Sequence, residues 1–246
     1  MTGGDLGPRE SRTPPHGGPG RPEEPGAARG GPRRAAPGEA GRAGEALPLH
    51  AALAEARALA EAALSPARRE HVRRVAEMAR QLALAHGEDP DRVALAAWLH
   101  DLARERDPAE LLAAARRWGW EPDEAERQDP LLLHGPVAAF EAAARGLTAD
   151  AEVLEAVRWH TTARAGLGRV GCLLFLADKL EPGRRYPGVE ELRRLATRDL
   201  DGAMRAVLDG VIRHCLDRGY WLPAATVAAR NHWLRQAGTA GPAAKS

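Results

Sequence analysis

From Ala46 onward the apolar residues recur at helical spacing, and no stretch alternates with period two through β-branched side chains. A chain patterned this way builds no sheet and must bury its apolar faces helix against helix. The side chains on offer narrow the packing further. Apolar residues make up 44% of the 246 positions and aromatics only 4%, so Leu, Val and Ala have to bring the helices close together. The expected fold class is all-α, with one helical bundle domain over residues 46–238. No internal repeat and no glycine-rich phosphate loop interrupts it.

Punctuation divides the pattern into helices. Ser65-Pro66, Asp89-Pro90 and Asp107-Pro108 each read as an N-cap followed by a first helical residue, and Gly87 and Gly119 read as helix stops. Further helices are expected at about Pro136–Arg145, Asp150–His160, Arg169–Leu180, Val189–Thr197, Leu200–Arg218 and Pro223–Gln236.

Residues 1–45 are dominated by Gly, Pro, Arg and Ala, and cannot bury enough surface to offset their ordering entropy. Arg9, Arg12, Arg21, Arg33 and Arg34 alternate with Glu10, Glu23, Glu24 and Glu39, which predicts a neutral disordered leader instead of a basic nucleic-acid arm. Residues 239–246 are expected to be a disordered tail. The formal net charge of +1 provides no global field for nucleic acid or an anionic membrane. No apolar run reaches the ~20 residues of a membrane span, and the N-terminus lacks a signal-peptide core, so a cytoplasmic location is expected by default. Cys172 and Cys215 both fall in apolar helical patterns and read as packed thiols.

The histidines carry the chemistry. His16, His50, His86, His214 and His232 have no ligand-type neighbours and read as structural or surface residues. His71 instead shares the apolar stripe of Val75, Met78 and Leu82, while His100 continues Val93–Ala96–Ala97 and His160 continues Val153–Val157. His134 stands at the mouth of a helix, directly before Gly135-Pro136. Any one of these alone is better read as a hydrogen-bonded core histidine. Together they reverse that balance, because one shared metal centre would satisfy every buried imidazole at once. Asp101 follows His100, and Asp178 lies inside the apolar run Leu173–Ala177; a carboxylate there needs a salt bridge or a metal.

The ordered series His71, His100-Asp101, His134, His160, Asp178 resembles the six-ligand metal motif of HD-domain phosphohydrolases. The strings beginning at His134, at Trp159-His160-Thr161-Thr162 and at Asp178-Lys179-Leu180-Glu181-Pro182-Gly183-Arg184 are similar to the YqeK family, and the similarity runs from about Leu49 to Arg235. The chain departs from that family at Arg104, where Lys is usual, and at Gly171-Cys172, where a Glu-Lys pair is typical. At His134-Gly135-Pro136-Val137-Ala138 the family's two small residues stand in exchanged order.

The resemblance implies an HD-type bundle and symmetrical hydrolysis of diadenosine tetraphosphate to two ADP by a hydroxide bound to two metals. It implies that His71, His100, Asp101 and Asp178 hold one ion, and that His134 and His160 hold a second, bridged through Asp101. Iron is the expected metal, with manganese or cobalt as alternatives. Asp101, Arg104 and Arg184 are the catalytic candidates, and Thr161, Thr162 and Arg164 the nucleotide-binding ones. Glu181 is evenly balanced between a structural and a catalytic role. The expected partner is a dinucleoside polyphosphate or another nucleotide, with no nucleic acid and no membrane; a homodimer is left open. The competing readings are an HD hydrolase acting on a different nucleotide and a sensing module that binds without cleaving.

Overall fold

The structure, a computed structural model, describes residues 46–238, which form eleven α-helices and one 3-10 turn and contain no strand. The expectations for the leader (1–45) and the tail (239–246) lie outside the described residues.

The first helix, α1 (Leu49–Ala63), buries Ala52, Ala56 and Ala60 on one stripe, so a neighbour can approach closely. The next three start as their Ser-Pro and Asp-Pro steps predict. Ser65 Oγ accepts from Arg68 N–H to cap α2 (Pro66–Ala85), Asp89 caps α3 (Pro90–Leu99), and Asp107 caps α4 (Pro108–Arg117). In each, proline sits at the first position, where its missing N–H costs no hydrogen bond. Gly87 and Gly119 follow with φ of +67° and +72°, a left-handed turn that any L side chain would strain.

Two short elements were not read from the sequence. Asp123 and Glu126 form a reciprocal capping box that starts α5 (Glu124–Gln128), and Asp129 caps a 3-10 turn over Pro130–Leu133. That turn feeds straight into α6 (His134–Ala144), which starts two residues before the expected Pro136 and places His134 at its first position.

The remaining helices are α7 (Ala151–Trp159), α8 (Arg169–Leu180), α9 (Val189–Ala196), α10 (Leu200–Arg218) and α11 (Ala224–Gly238). α8 is buried on every side from Val170 to Asp178 and again at Leu180, as befits a helix with no polar face until its last turn. It packs against α2, α3, α7 and α10, and α6 packs on α7. The C-terminal ends of α3, α7 and α8 therefore converge on the inner face of α2 and the first turn of α6. Three helix C-termini pooled in one place make a region of negative partial charge, suited to cations.

His16 lies outside the described residues; the other four bland histidines keep to the periphery or to structural work. His50 and His214 are exposed, His232 stacks edge-on against Trp233, and His86 Nε2 meets the Ala196 carbonyl at 2.7 Å, tying the end of α2 to α9. Cys172 is buried, which pushes its thiol up to about 12, whereas Cys215 is only half-buried; both are free.

Candidate metal centre

Three of the imidazoles are held by the same local device. His100 Nδ1 faces the Ala97 carbonyl at 2.6 Å, His160 Nδ1 faces the Val157 carbonyl at 2.8 Å, and His134 Nδ1 faces that of Leu131. In each case the acceptor lies three residues back, where a ring at the end of a helical turn can reach it. A carbonyl only accepts, so each Nδ1 carries the proton and each Nε2 keeps its lone pair. Those lone pairs point at one another. His134 Nε2 and His160 Nε2 are 2.9 Å apart, and the fully buried His100 Nε2 has no hydrogen-bond partner.

Asp101 lies between them and divides its oxygens. Oδ1 is 3.2 Å from His134 Nε2 and 3.8 Å from His160 Nε2, while Oδ2 is 3.5 Å from His100 Nε2 and 3.7 Å from His71 Nε2. Two groups of donors result, His71–His100–Asp101 and Asp101–His134–His160, each close enough to surround one ion. Asp178 Oδ1 stands 3.1 Å from His71 Nε2 at the edge of the first group. An orphaned imidazole nitrogen, facing lone pairs and a shared carboxylate fit a bound cation, and mixed imidazole–carboxylate ligation suits a divalent transition metal.

The electrostatics agree. Burial lowers the pKa of His100, with Asp101 opposing, and burial followed by the neighbouring His134 holds His160 well below the usual imidazole range. Both rings stay neutral and able to ligate. Burial by itself would raise Asp101, but the facing His100 and the contact with His134 outweigh it and hold the carboxyl well below its ordinary value. At Asp178 burial is likewise overcome, here chiefly by the neighbouring Lys179 ammonium.

Glu181 proves to be a buttress. It accepts from His71 Nδ1 at 3.3 Å, from Arg74 Nε at 2.5 Å and from the Gly183 N–H at 2.6 Å. This turns the His71 Nε2 lone pair toward Asp101 and Asp178, an arrangement that commonly orients a metal-ligating imidazole.

A cavity of about 330 Å³ opens over the cluster, with Arg104, Thr161, Lys179 and Arg184 in its walls. Arg184 donates to Asp178 Oδ1 at 2.9 Å and Lys179 to Asp178 Oδ2 at 2.6 Å, whereas the Arg104 guanidinium forms no ion pair among the described residues. Thr161 Oγ1 lies 3.2 Å from His160 Nε2. Thr162 and Arg164 are placed elsewhere. The Thr162 hydroxyl donates to the Ala163 carbonyl at 3.0 Å, and Arg164 pairs with Glu155; neither lines the cavity. The backbone turns at Ala163, at φ +55°, just ahead of Arg164, so closeness to His160 in sequence does not bring that guanidinium to the cavity. Arg68, which donates to Asp101 Oδ2 at 2.9 Å, and Lys179 went unpredicted. Their signals were spacing: Arg68 lies three residues before His71 on the same helix face, and Lys179 directly follows Asp178.

Comparison with known proteins follows the same residues. The HD-domain family profile matches residues 68–183. The chain is 35% identical over 176 residues to a symmetrical bis(5'-nucleosyl)-tetraphosphatase from Halalkalibacterium halodurans, covering 70% of this chain and 91% of that one. Enzymes of the same name from Bacillus subtilis and Staphylococcus aureus are 33% and 37% identical, over 61% and 58% of this chain and 80% and 73% of theirs. The crystal structure of a predicted HD superfamily hydrolase involved in NAD metabolism from Clostridium acetobutylicum superposes with a TM-score of 0.71 at 28% identity, covering 74% of this chain and 97% of that one.

Proposed function

This chain belongs to the YqeK-like branch of the HD-domain hydrolases, and we propose that it splits diadenosine tetraphosphate symmetrically into two molecules of ADP. Water adds to one of the two inner phosphorus atoms, the P–O bond joining the inner pair breaks, and the water's spare proton passes to the departing phosphate or to solvent. One observation carries the reading: Asp101 offers Oδ2 to His71 and His100 and Oδ1 to His134 and His160, inside a cavity walled by cationic side chains.

Divalent ions, iron first with manganese or cobalt as alternatives, would be held by His71, His100, Asp101 and Asp178 and by Asp101, His134 and His160, and when bound they supply Lewis acidity toward the phosphoryl oxygens and the attacking water. The chain prepares for them by fixing its ligands in advance. Burial keeps His100 and His160 neutral, and the Nδ1–H bonds to Ala97, Leu131 and Val157 hold three rings in the tautomer whose Nε2 is free. Glu181 does the same for His71.

The rest of the cavity answers the charge of a tetraphosphate. Arg104 presents an uncommitted guanidinium, and Arg184 and Lys179 bring two further cations beside Asp178. Charge-assisted hydrogen bonds from these groups orient the phosphates and offset the negative charge that grows at the reacting centre. The Thr161 hydroxyl adds a neutral donor at the edge of the second group.

The test is direct. Purified protein loaded with iron or cobalt is incubated with diadenosine tetraphosphate, and the products are separated by chromatography. ADP as sole product is the expected result. AMP with ATP would move the attack to an outer phosphate, and no cleavage by demonstrably metal-loaded protein would reject the reading.

A further inference from the structure

Two cavities meet at Arg184. One is the cavity over the metal centre; the other, of about 350 Å³, lies between the 182–186 loop and the start of α9, with Pro182, Arg185, Tyr186, Val189, Arg193 and the Arg193-paired Glu190 completing its walls. The Arg184 guanidinium reaches Asp178 Oδ1 on the metal side, while its side chain forms part of the second cavity.

That second cavity has a fixed wall. The Arg193 guanidinium donates to the carbonyls of Leu180 at 2.7 Å, Glu181 at 2.8 Å and Arg184 at 3.0 Å, stapling the loop onto α9. The Tyr186 hydroxyl donates to the Lys179 carbonyl at 3.1 Å, which pins the ring at its far end. Even so, Tyr186 remains 40% exposed. A chain with so few aromatics has one tethered beside its reactive centre with ring surface left open.

We propose that this pocket receives one nucleoside of the substrate, with the base lying on the Tyr186 ring and the adjoining phosphate on Arg184. The inference rests on the dinucleoside polyphosphate reading and names a subsite for it. Cleavage at the middle of a tetraphosphate leaves a diphosphate and a nucleoside on each side of the reacting bond, so each nucleoside lies two phosphates away from the metals. The metal cavity has the cations Arg68, Arg104, Lys179 and Arg184 in its walls, and no Phe, Tyr or Trp on which a base could stack. Tyr186 is two residues from Arg184, so their Cα atoms are at most ~7 Å apart, within reach of a nucleoside whose phosphate the arginine holds. The cavity volume sits at the low end of the ~300–1,000 Å³ of small-ligand sites, room for one nucleoside and not for the whole substrate. Recognition by stacking uses the π-face that every base has, so discrimination among bases at this end is weak.

The test compares two ligands that differ by the nucleoside. ADP and inorganic pyrophosphate are titrated calorimetrically into the metal-loaded full chain, for wild type, Tyr186→Ala and Tyr186→Phe. Tyr186→Ala is expected to weaken ADP by roughly 5-fold to 150-fold, the range for losing one base–aromatic stack, and to leave pyrophosphate unaltered. Tyr186→Phe, which keeps the ring, is expected to bind ADP within about twofold of wild type. Unchanged ADP affinity in Tyr186→Ala overturns the proposal. Equal loss of both ligands also overturns it, since Tyr186 would then act only through Lys179 or the loop. Cleavage of diadenosine tetraphosphate by the wild type is scored separately, so a wrong reaction and a wrong subsite give different results.

Discussion

His134 Nε2 and His160 Nε2 lie 2.9 Å apart although each ring already spends its Nδ1–H on a backbone carbonyl. Neither nitrogen has a proton to offer the other. Two lone pairs at that distance, with Asp101 Oδ1 facing both rings, are reconciled by a cation that all three donors share. His134→Ala is therefore expected to deplete the second ion more than the first, which keeps His71, His100, Asp101 and Asp178. Metal analysis of the purified variant checks this: partial loss is expected, and an unchanged metal content contradicts the two-group assignment.

Among the described residues, Asp101 is the member shared by both ligand groups. Asp101→Ala removes a ligand oxygen from each group and leaves Arg68 without its carboxylate partner. Metal and activity are expected to disappear together while the helical circular dichroism persists. Turnover near that of the wild type would rule out a shared carboxylate.

Much of this arrangement was legible because the pattern was violated in a repeated way. His71, His100 and His160 each occupy a place where an apolar stripe demanded a hydrocarbon side chain, and Asp178 interrupts the most buried helix of the fold. Helix starts were equally plain, since Ser-Pro and Asp-Pro state both the cap and the first residue. The 3-10 turn over Pro130–Leu133 was not, because four residues are too few to show a period. Yet that turn delivers the Leu131 carbonyl that orients His134. Thr162 and Arg164 do not line the cavity, for two local reasons that residue identity does not announce: the Thr162 hydroxyl is spent on the Ala163 carbonyl, and Arg164 lies beyond the left-handed turn at Ala163 and pairs with Glu155. Arg68 was passed over because an arginine three residues before a histidine also looks like solvated helix surface.

Glu181 offers a test of ligand orientation without touching a proposed ligand. Glu181→Gln keeps the shape but weakens the hold on His71 Nδ1 and removes the charge facing Arg74. Substitutions that remove such partners typically cost ~10–100-fold in metal affinity or activity, and a loss in that range is expected here. Competition with a chelator of known affinity measures it. Affinity equal to the wild type would mean that His71 is positioned by helix packing alone.

One contribution to the pH dependence of stability comes from a pair away from the proposed ligands. Arg92 donates to Asp150 from Nε at 2.8 Å and from its terminal nitrogen at 3.1 Å, and Asp150 also caps α7 through the Glu152 N–H. Its pKa is lowered, chiefly by the hydrogen bonds from Arg92. A lowered carboxyl contributes stability that is present above its unfolded-state pKa of ~3.9 and is lost as pH falls through the folded value. Asp150→Asn keeps the cap oxygen and removes the charge. The variant is expected to be less stable than wild type at neutral pH, with the gap closing as pH drops below about 4 in urea unfolding series. A gap that stays constant with pH would assign the difference to packing.

Gly135 sets how closely α6 approaches the end of α7. A Cβ at this position would lie 2.9 Å from the Val157 and Arg158 carbonyl oxygens and 3.1 Å from His160 Nδ1. The first and last of these atoms are the two ends of the hydrogen bond that fixes the His160 tautomer. Gly135→Ala therefore pushes on both ends of that bond as well as on the Arg158 carbonyl, and backbone carbonyls have little room to yield. Overpacking of this kind typically costs ~1–3 kcal/mol, but the expected signature is more specific than lost stability. The second ion should bind more weakly while the first is retained, a pattern that His134→Ala shares and a general loosening of the bundle does not. The family resemblance implies Ala at 135 with Gly at 138, so Gly135→Ala combined with Ala138→Gly is expected to recover part of the loss. Stepwise metal titration of the single and double variants decides it: equal weakening of both ions in Gly135→Ala would leave the glycine a packing role only.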